Sequence, residues 1–223
     1  MENKPKKKIY EKGYFWLLLL AIGFIIWWQT TLVFEKRLNN KYIGETKAIT
    51  ENLDGEIAKD LKDNTHKLDY KKISDKLNSY FTRYEDLSQQ AYNLKTEIIE
   101  NEAKLTEELK EGKDSKTLDN YINRNNQLKD EFIKLYKDFS LIKDETDLEG
   151  ENLESIDEIV NLAKLGCAYR IRGKEITDLN LNKWREDLHI KTIQESKVEQ
   201  QLANGQIKKA KYKKLDLDNL LLK

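Results

Sequence analysis

Proline occurs once in the 223 residues, cysteine once and histidine twice. With a single proline and nine glycines, few positions interrupt a helix. Cys167 alone closes no intramolecular disulfide, and its setting, "NLAKLGCAYRI", is apolar. It reads as a buried structural thiol rather than a redox centre. His66 and His189 are far apart in sequence, and no HExxH, CxxC, Walker A, GxGxxG or GxSxG pattern occurs. The sequence therefore offers no catalytic residues, no cofactor-binding residues and no metal-ligand set, and reads as a non-enzyme. Net charge is missing too. Forty Lys and Arg balance forty Asp and Glu, which argues against a nucleic-acid partner, since such binders carry a basic footprint.

What is present is charge of both signs, 36% of the chain, with recurrent Leu, Ile and Tyr. That composition points to long helices and coiled coils, and periodicity favours them over disorder. The expected fold class is all-α, with no strand alternation long enough for a sheet. It comprises a single N-terminal transmembrane helix, a long antiparallel coiled-coil hairpin and a small C-terminal helical region.

Residues 14–34, "YFWLLLLAIGFIIWWQTTLVF", carry no charge. At ~1.5 Å per residue such a run covers about 30 Å, the hydrocarbon thickness of a bilayer. Tyr14, Phe15 and Trp16 mark one interface, and Trp27 and Trp28 draw the other towards Gln29. A cleaved signal peptide is the competing reading. The run is longer than a typical h-region, and bulky "WWQTTLVFEKR" follows instead of a small-residue cleavage site. The reading is an uncleaved signal anchor. Lys4, Lys6, Lys7, Lys8 and Lys12 outweigh Lys36, Arg37, Lys41 and Lys47 on the other flank. This places residues 1–13 as a basic cytoplasmic tail and the bulk of the chain outside the cytoplasm, single-pass in the cell membrane. No Asn-x-Ser/Thr acceptor occurs, and Lys, Asn and Ile are abundant, both consistent with a bacterial source.

Residues 35–65 read as a helical stalk, weakened by Gly44 and Gly55. The stronger signal spans 66–148. Ile73, Leu77, Tyr80, Tyr84, Leu87, Ala91, Leu94, Ile98, Asn101 and Leu105 alternate four and three apart, an a/d heptad. A turn is expected near 112–115, where Gly112 suits a helix end and Asp114 or Ser115 a new cap. Leu118, Tyr121, Asn125, Leu128, Phe132, Leu135, Phe139 and Ile142 then form a second seam. Folding the two helices about position 113 sets Leu87 against Phe139 and Asn101 against Asn125. Two facing amides would fix the register as a polar pair in an apolar seam.

The region 149–223 is expected to hold C-terminal helices with a basic tail. One helix is predicted over 153–171, ended by Gly173 and "TDLN". A second is predicted near 180–203, ended by "NG" at 204–205. Trp184 reads as a core anchor. Lys208, Lys209, Lys211, Lys213 and Lys214 surround Tyr212 and form a candidate anion-binding cluster. The alternative is a solvated helix face balanced by Asp216 and Asp218.

The expected function is a membrane-anchored, non-catalytic scaffold or adaptor of the cell envelope, acting through coiled-coil contacts with protein partners or a second copy. The layout is similar to that of small bitopic division or secretion-machine components and phage inner-membrane spanins, in topology alone. The alternative is a helical sensor or receptor ectodomain that binds a ligand and signals through a partner.

Overall fold

A computed structural model describes residues 9–60, 67–111, 115–187 and 195–222; the side chains at 9–15, 26, 30, 31, 34, 35, 38, 59, 60, 186, 187 and 195–197 are outside that description. The described elements are six helices: α1 (Ile9–Asp60), α2 (Tyr70–Glu100), α3 (Glu102–Lys110), α4 (Lys116–Glu145), α5 (Gly150–Asp187) and α6 (Glu195–Leu221). Among the described residues the one β feature is an isolated bridge between Leu68 and Thr146. The chain divides into two compact units, Met1–Gly44 and Glu45–Lys223.

The first unit contains the start of α1. Its described large apolar side chains from Trp16 to Val33 are all substantially exposed, Trp16 at 64% and Leu20 at 70%. Among the described residues no helix is long and apolar enough to cross a membrane. The expected span is corrected to that extent, and part of it (14, 15, 26, 30, 31 and 34) falls on side chains outside the description. What is established over 16–33 is a helix with apolar side chains on every face.

In the second unit, Asp69 caps α2 by accepting from Lys72 N at 2.9 Å. Ser115 Oγ caps α4 by accepting from Leu118 N at 3.2 Å, as its position suggests. Gly112 and Asp114 lie outside the described residues. All eight positions of the second seam, Leu118 to Ile142, are buried. So are Ile73, Leu77, Tyr84, Leu87, Ala91, Leu94 and Ile98 of the first, with Leu105 on α3. The hairpin is antiparallel. Lys76 pairs with Glu145 at 2.6 Å, Arg83 with Asp138 at 2.8 Å and Arg124 with Glu97 at 2.8 Å.

Its register differs from the symmetric expectation. Phe139, expected against Leu87, instead meets Tyr80 and Phe81 at ring distances of 5.4 and 5.5 Å, about one heptad earlier. A slip of seven residues keeps every a and d position in phase, so the hydrophobic pattern does not distinguish the two registers. The first arm also breaks at Asn101, with φ −96° and ψ 5°, so it is not one continuous rod.

The C-terminal third is neither small nor segmented. Helix α5 runs unbroken through Gly173 and "TDLN", and α6 through Asn204 and Gly205. A glycine inside a helix costs only ~1 kcal/mol relative to alanine, and packing overrides it. Two glycines of α5, Gly166 and Gly173, serve close approach. A Cβ on Gly166 would lie 2.8 Å from the Ile207 side chain, and one on Gly173 would lie 2.6 Å from Glu199 Oε2. Residues Ala163, Ala203 and Ala210 are also fully buried, so α5 and α6 meet through small side chains.

Helices α2, α4, α5 and α6 thus form an up-down-up-down bundle. Lys143 pairs with Asp157 at 2.9 Å across α4 and α5, and Lys211 pairs with Glu85 across α6 and α2. The end of α1 adds a fifth helix rather than a free stalk. Leu53 and Ile57 join the core, Asp54 accepts from Tyr136 Oη at 2.9 Å and pairs with Lys164 at 2.7 Å, and Arg172 reaches Glu45 at 3.0 Å.

Candidate functional site

The asparagine pair is not formed. Asn101 Nδ2 donates to Glu97 O at 2.8 Å within its own helix end. Asn125 is fully buried, and its Nδ2 donates at 2.8 Å to Lys174 O on α5. The one-heptad slip moves the two residues apart, and the seam carries a third helix that the two-helix picture lacked. The polar break at Asn125 therefore answers to α5, not to Asn101.

The lysine cluster is mostly spoken for. Lys214 is 4% exposed and donates to Ser74 Oγ at 2.8 Å and Asp218 Oδ2 at 2.6 Å. Lys213 pairs with Glu158 at 2.6 Å, and Lys211 with Glu85. Lys208 lies 5.7 Å from the Tyr212 ring centroid, and Lys209 is exposed. Asp218 also accepts from Tyr70 Oη and Ser74 Oγ, both at 2.8 Å. The contacts of Lys211, Lys214 and Asp218 tie α6 to α2, and that of Lys213 ties it to α5, so the five lysines are not all free cations. The helical period explains it, because Lys214 and Leu217 face inward while Lys209 and Lys213 face out.

Asn125 instead lines a cavity of ≈ 60 Å³ between α2, α4, α5 and α6. Its apolar wall includes Ala91, Leu94, Ile98, Leu181 and Trp184. Its polar wall includes Lys95, Arg170, Lys174, Thr177, Asn180 and Glu199. Lys174 is 8% exposed. Burial, reinforced by Arg170 and Lys95 and opposed by Glu199, pushes its ammonium down to about 8. Its backbone carbonyl accepts from Asn125 Nδ2. Trp184 Nε1 and Asn125 Oδ1 are buried without a partner among those residues. Arg170 is held by Tyr84 Oη at 3.2 Å and by Asn204 Oδ1 at 2.9 Å.

Trp184 is buried, as its sequence setting suggests, and it borders a largely apolar cavity that has polar groups in its wall. Cys167 is fully buried, and burial pushes its thiol well above the usual range. His66 and His189 lie outside the described residues. Among the described residues no group of three or more His, Cys, Asp or Glu is placed to hold a metal ion. Lys174 and Arg170 escaped the sequence reading because "YRIRGKEI" resembles an ordinary charged helix face. The signal was Asn125, a polar residue in an apolar seam. No family model matches the chain, and no curated protein or solved structure is significantly similar to it.

Proposed function

We propose that this chain is a membrane-anchored, non-catalytic helical scaffold of the cell envelope, of the kind that serves division, secretion or phage-related assemblies. The first part of α1 holds it in the bilayer, with the N-terminus cytoplasmic and the bundle on the other side. The observation that carries this reading is the run from Trp16 to Val33, where apolar side chains stand exposed on all faces of one helix. An all-round apolar helix needs an apolar surround. Burying each large side chain contributes ~1.5–3 kcal/mol, so a run of this length favours lipid strongly. The bundle itself is closed, with its helical seams covered by α5 and α6. Partner contacts therefore fall to outward side chains such as Tyr92, Leu179 and Tyr212.

The experiment is extraction of membranes from cells making the full chain. The protein is expected to stay with membranes through alkaline carbonate and to leave only with detergent. Release by carbonate would overturn the anchor. Orientation is read from a cysteine introduced at Glu111, which is exposed, against a background in which buried Cys167 stays silent. Labelling of intact spheroplasts is expected, and labelling only after lysis would invert the topology.

A further inference from the structure

We propose that the open groove between α2 and α6 is a binding site for an uncharged saccharide chain. Tyr92 and Tyr212 are its stacking platforms, and the amides of Gln89 and Asn204 are its hydrogen-bonding groups. This gives two outward side chains of the scaffold a saccharide partner, and it stands independently of the membrane anchor.

Three observations converge on this chemistry. The first is where the aromatic rings stand. Among the described residues after α1, Tyr92 and Tyr212 are the two exposed aromatic side chains, at 53% and 58%, and both line this groove. Lys211, next to Tyr212, pairs with Glu85 across the groove. Tyr92 lies seven residues beyond Glu85 on α2, about 10 Å at ~1.5 Å per residue. The two rings are thus spaced along the groove, and a chain of more than one sugar ring reaches both. The apolar face of a tyrosine ring suits the C–H face of a sugar.

The second is that the charges in the lining are already engaged. Glu85, its one carboxylate, pairs with Lys211. Arg170 donates to Tyr84 Oη at 3.2 Å and Asn204 Oδ1 at 2.9 Å, and Lys208 lies 5.7 Å from the Tyr212 ring centroid. This favours a neutral ligand over an ion. What stays available is amide chemistry. Gln89 Nε2 donates to Asn93 Oδ1 at 2.8 Å, which orients that amide and leaves Gln89 Oε1 as an acceptor. Asn204 Oδ1 is taken by Arg170, which leaves Asn204 Nδ2 as a donor. An oriented acceptor and an oriented donor suit hydroxyls, each of which both donates and accepts.

The third is shape. The groove is open and encloses ≈ 680 Å³, within the ~300–1,000 Å³ of ligand sites and far above the ≈ 60 Å³ of the buried cavity. Ile207 is the one aliphatic side chain in its lining. A helix or peptide strand, the competing occupant, docks by setting apolar side chains into apolar pockets, which this lining does not offer. Stacking rings with amides beside them suit a polyhydroxylated chain instead.

The test is isothermal titration of the full chain, in a detergent without a sugar headgroup, which would itself compete for the groove. The probes are cellotetraose, maltotetraose and chitotetraose, with glucose as a single-ring control. At least one tetrasaccharide is expected to bind saturably at millimolar concentration. Glucose is expected to bind about tenfold or more weakly, because it reaches one platform only. Tyr92→Ala and Tyr212→Ala are each expected to weaken the tetrasaccharide by about tenfold, and the phenylalanine variants, which keep the ring, to bind like wild type. Both tyrosines are exposed, so folding is expected to survive either change. Affinity is expected to hold between about 0.05 and 0.5 M salt, since no ion pair forms. The assignment is overturned if none of the three tetrasaccharides binds, if neither alanine variant weakens binding, or if affinity falls steeply with salt, which would make an anion the ligand. Loss at one tyrosine alone would overturn the role given to the other, and equal binding of glucose would overturn the two-platform arrangement.

Discussion

Replacing Asp218 by Ala tests how far the last helix holds the bundle together. The Asp218 carboxylate accepts from Lys214 at 2.6 Å and from Tyr70 and Ser74 at 2.8 Å each. Lys214 and Ser74 are 4% and 3% exposed, so water does not readily replace the lost acceptor. Breaking a buried ion pair by removing one partner costs ~3–5 kcal/mol. The Asp218 side chain is 22% exposed, which lets some water reach the gap. The expected loss is therefore at the lower end, about 3 kcal/mol, large against a typical total of ~5–15 kcal/mol. Adding Lys214→Met removes the stranded ammonium and is expected to recover about half of that loss. The two sites are thus coupled by ~1.5–3 kcal/mol. Burial raises the Asp218 carboxyl, but the hydrogen bonds from Lys214, Ser74 and Tyr70 outweigh it and hold it below its usual range. A depressed carboxyl stabilises the fold fully above the ordinary Asp range near pH ~4 and loses that contribution as pH falls through its folded value. Wild type is therefore expected to lose more stability on acidification than Asp218→Ala. The assay is urea unfolding of the full chain in detergent, followed by far-ultraviolet circular dichroism. Additive single substitutions, or a loss under about 1 kcal/mol, would show that α6 is peripheral and refute the reasoning.

Lys174 carries a pH dependence of the opposite origin. Its folded value near 8 lies below the unfolded value of about 10.4, so the unfolded chain binds more protons in between. Stability is expected to rise with pH from about 8 to about 9.5, by at most ~1.4 kcal/mol per unit, and Lys174→Met is expected to flatten that slope. Flat wild-type behaviour would show that Lys174 is solvated. Asn101→Leu and Asn125→Leu are expected to combine additively in unfolding measurements, because each amide binds a different backbone carbonyl; a coupling above about 0.5 kcal/mol would restore the facing pair. Gly173→Ala is expected to displace the Glu199 carboxylate and destabilise, whereas Gly55→Ala, with open space around it, is expected to stabilise by ~0.4–1 kcal/mol. Equal effects at the two glycines would refute the close approach of α6 to α5.

The sequence by itself determined that the chain is helical, which positions of α2 and α4 turn inward, where the hairpin reverses and that Cys167 is buried. Each of these is local. Heptad spacing sets the face of a helix, Ser115 supplies a cap where the chain turns, and an apolar neighbourhood hides a thiol. Tertiary structure alone decided the register, because a seven-residue slip leaves the a/d pattern unchanged and only contacts such as Phe139 on Phe81 choose between alternatives. It also decided that Gly173 and Asn204–Gly205 continue their helices. The glycine penalty is ~1 kcal/mol, and the packing of α5 on α6 exceeds it. Lys214, one of five similar lysines in the sequence, became a buried partner of Asp218 because α6 presents that face to α2. The cavity was out of reach of the sequence for the same reason. Asn125, Lys174, Trp184 and Glu199 come from three helices, and only the closed bundle brings their side chains to one space.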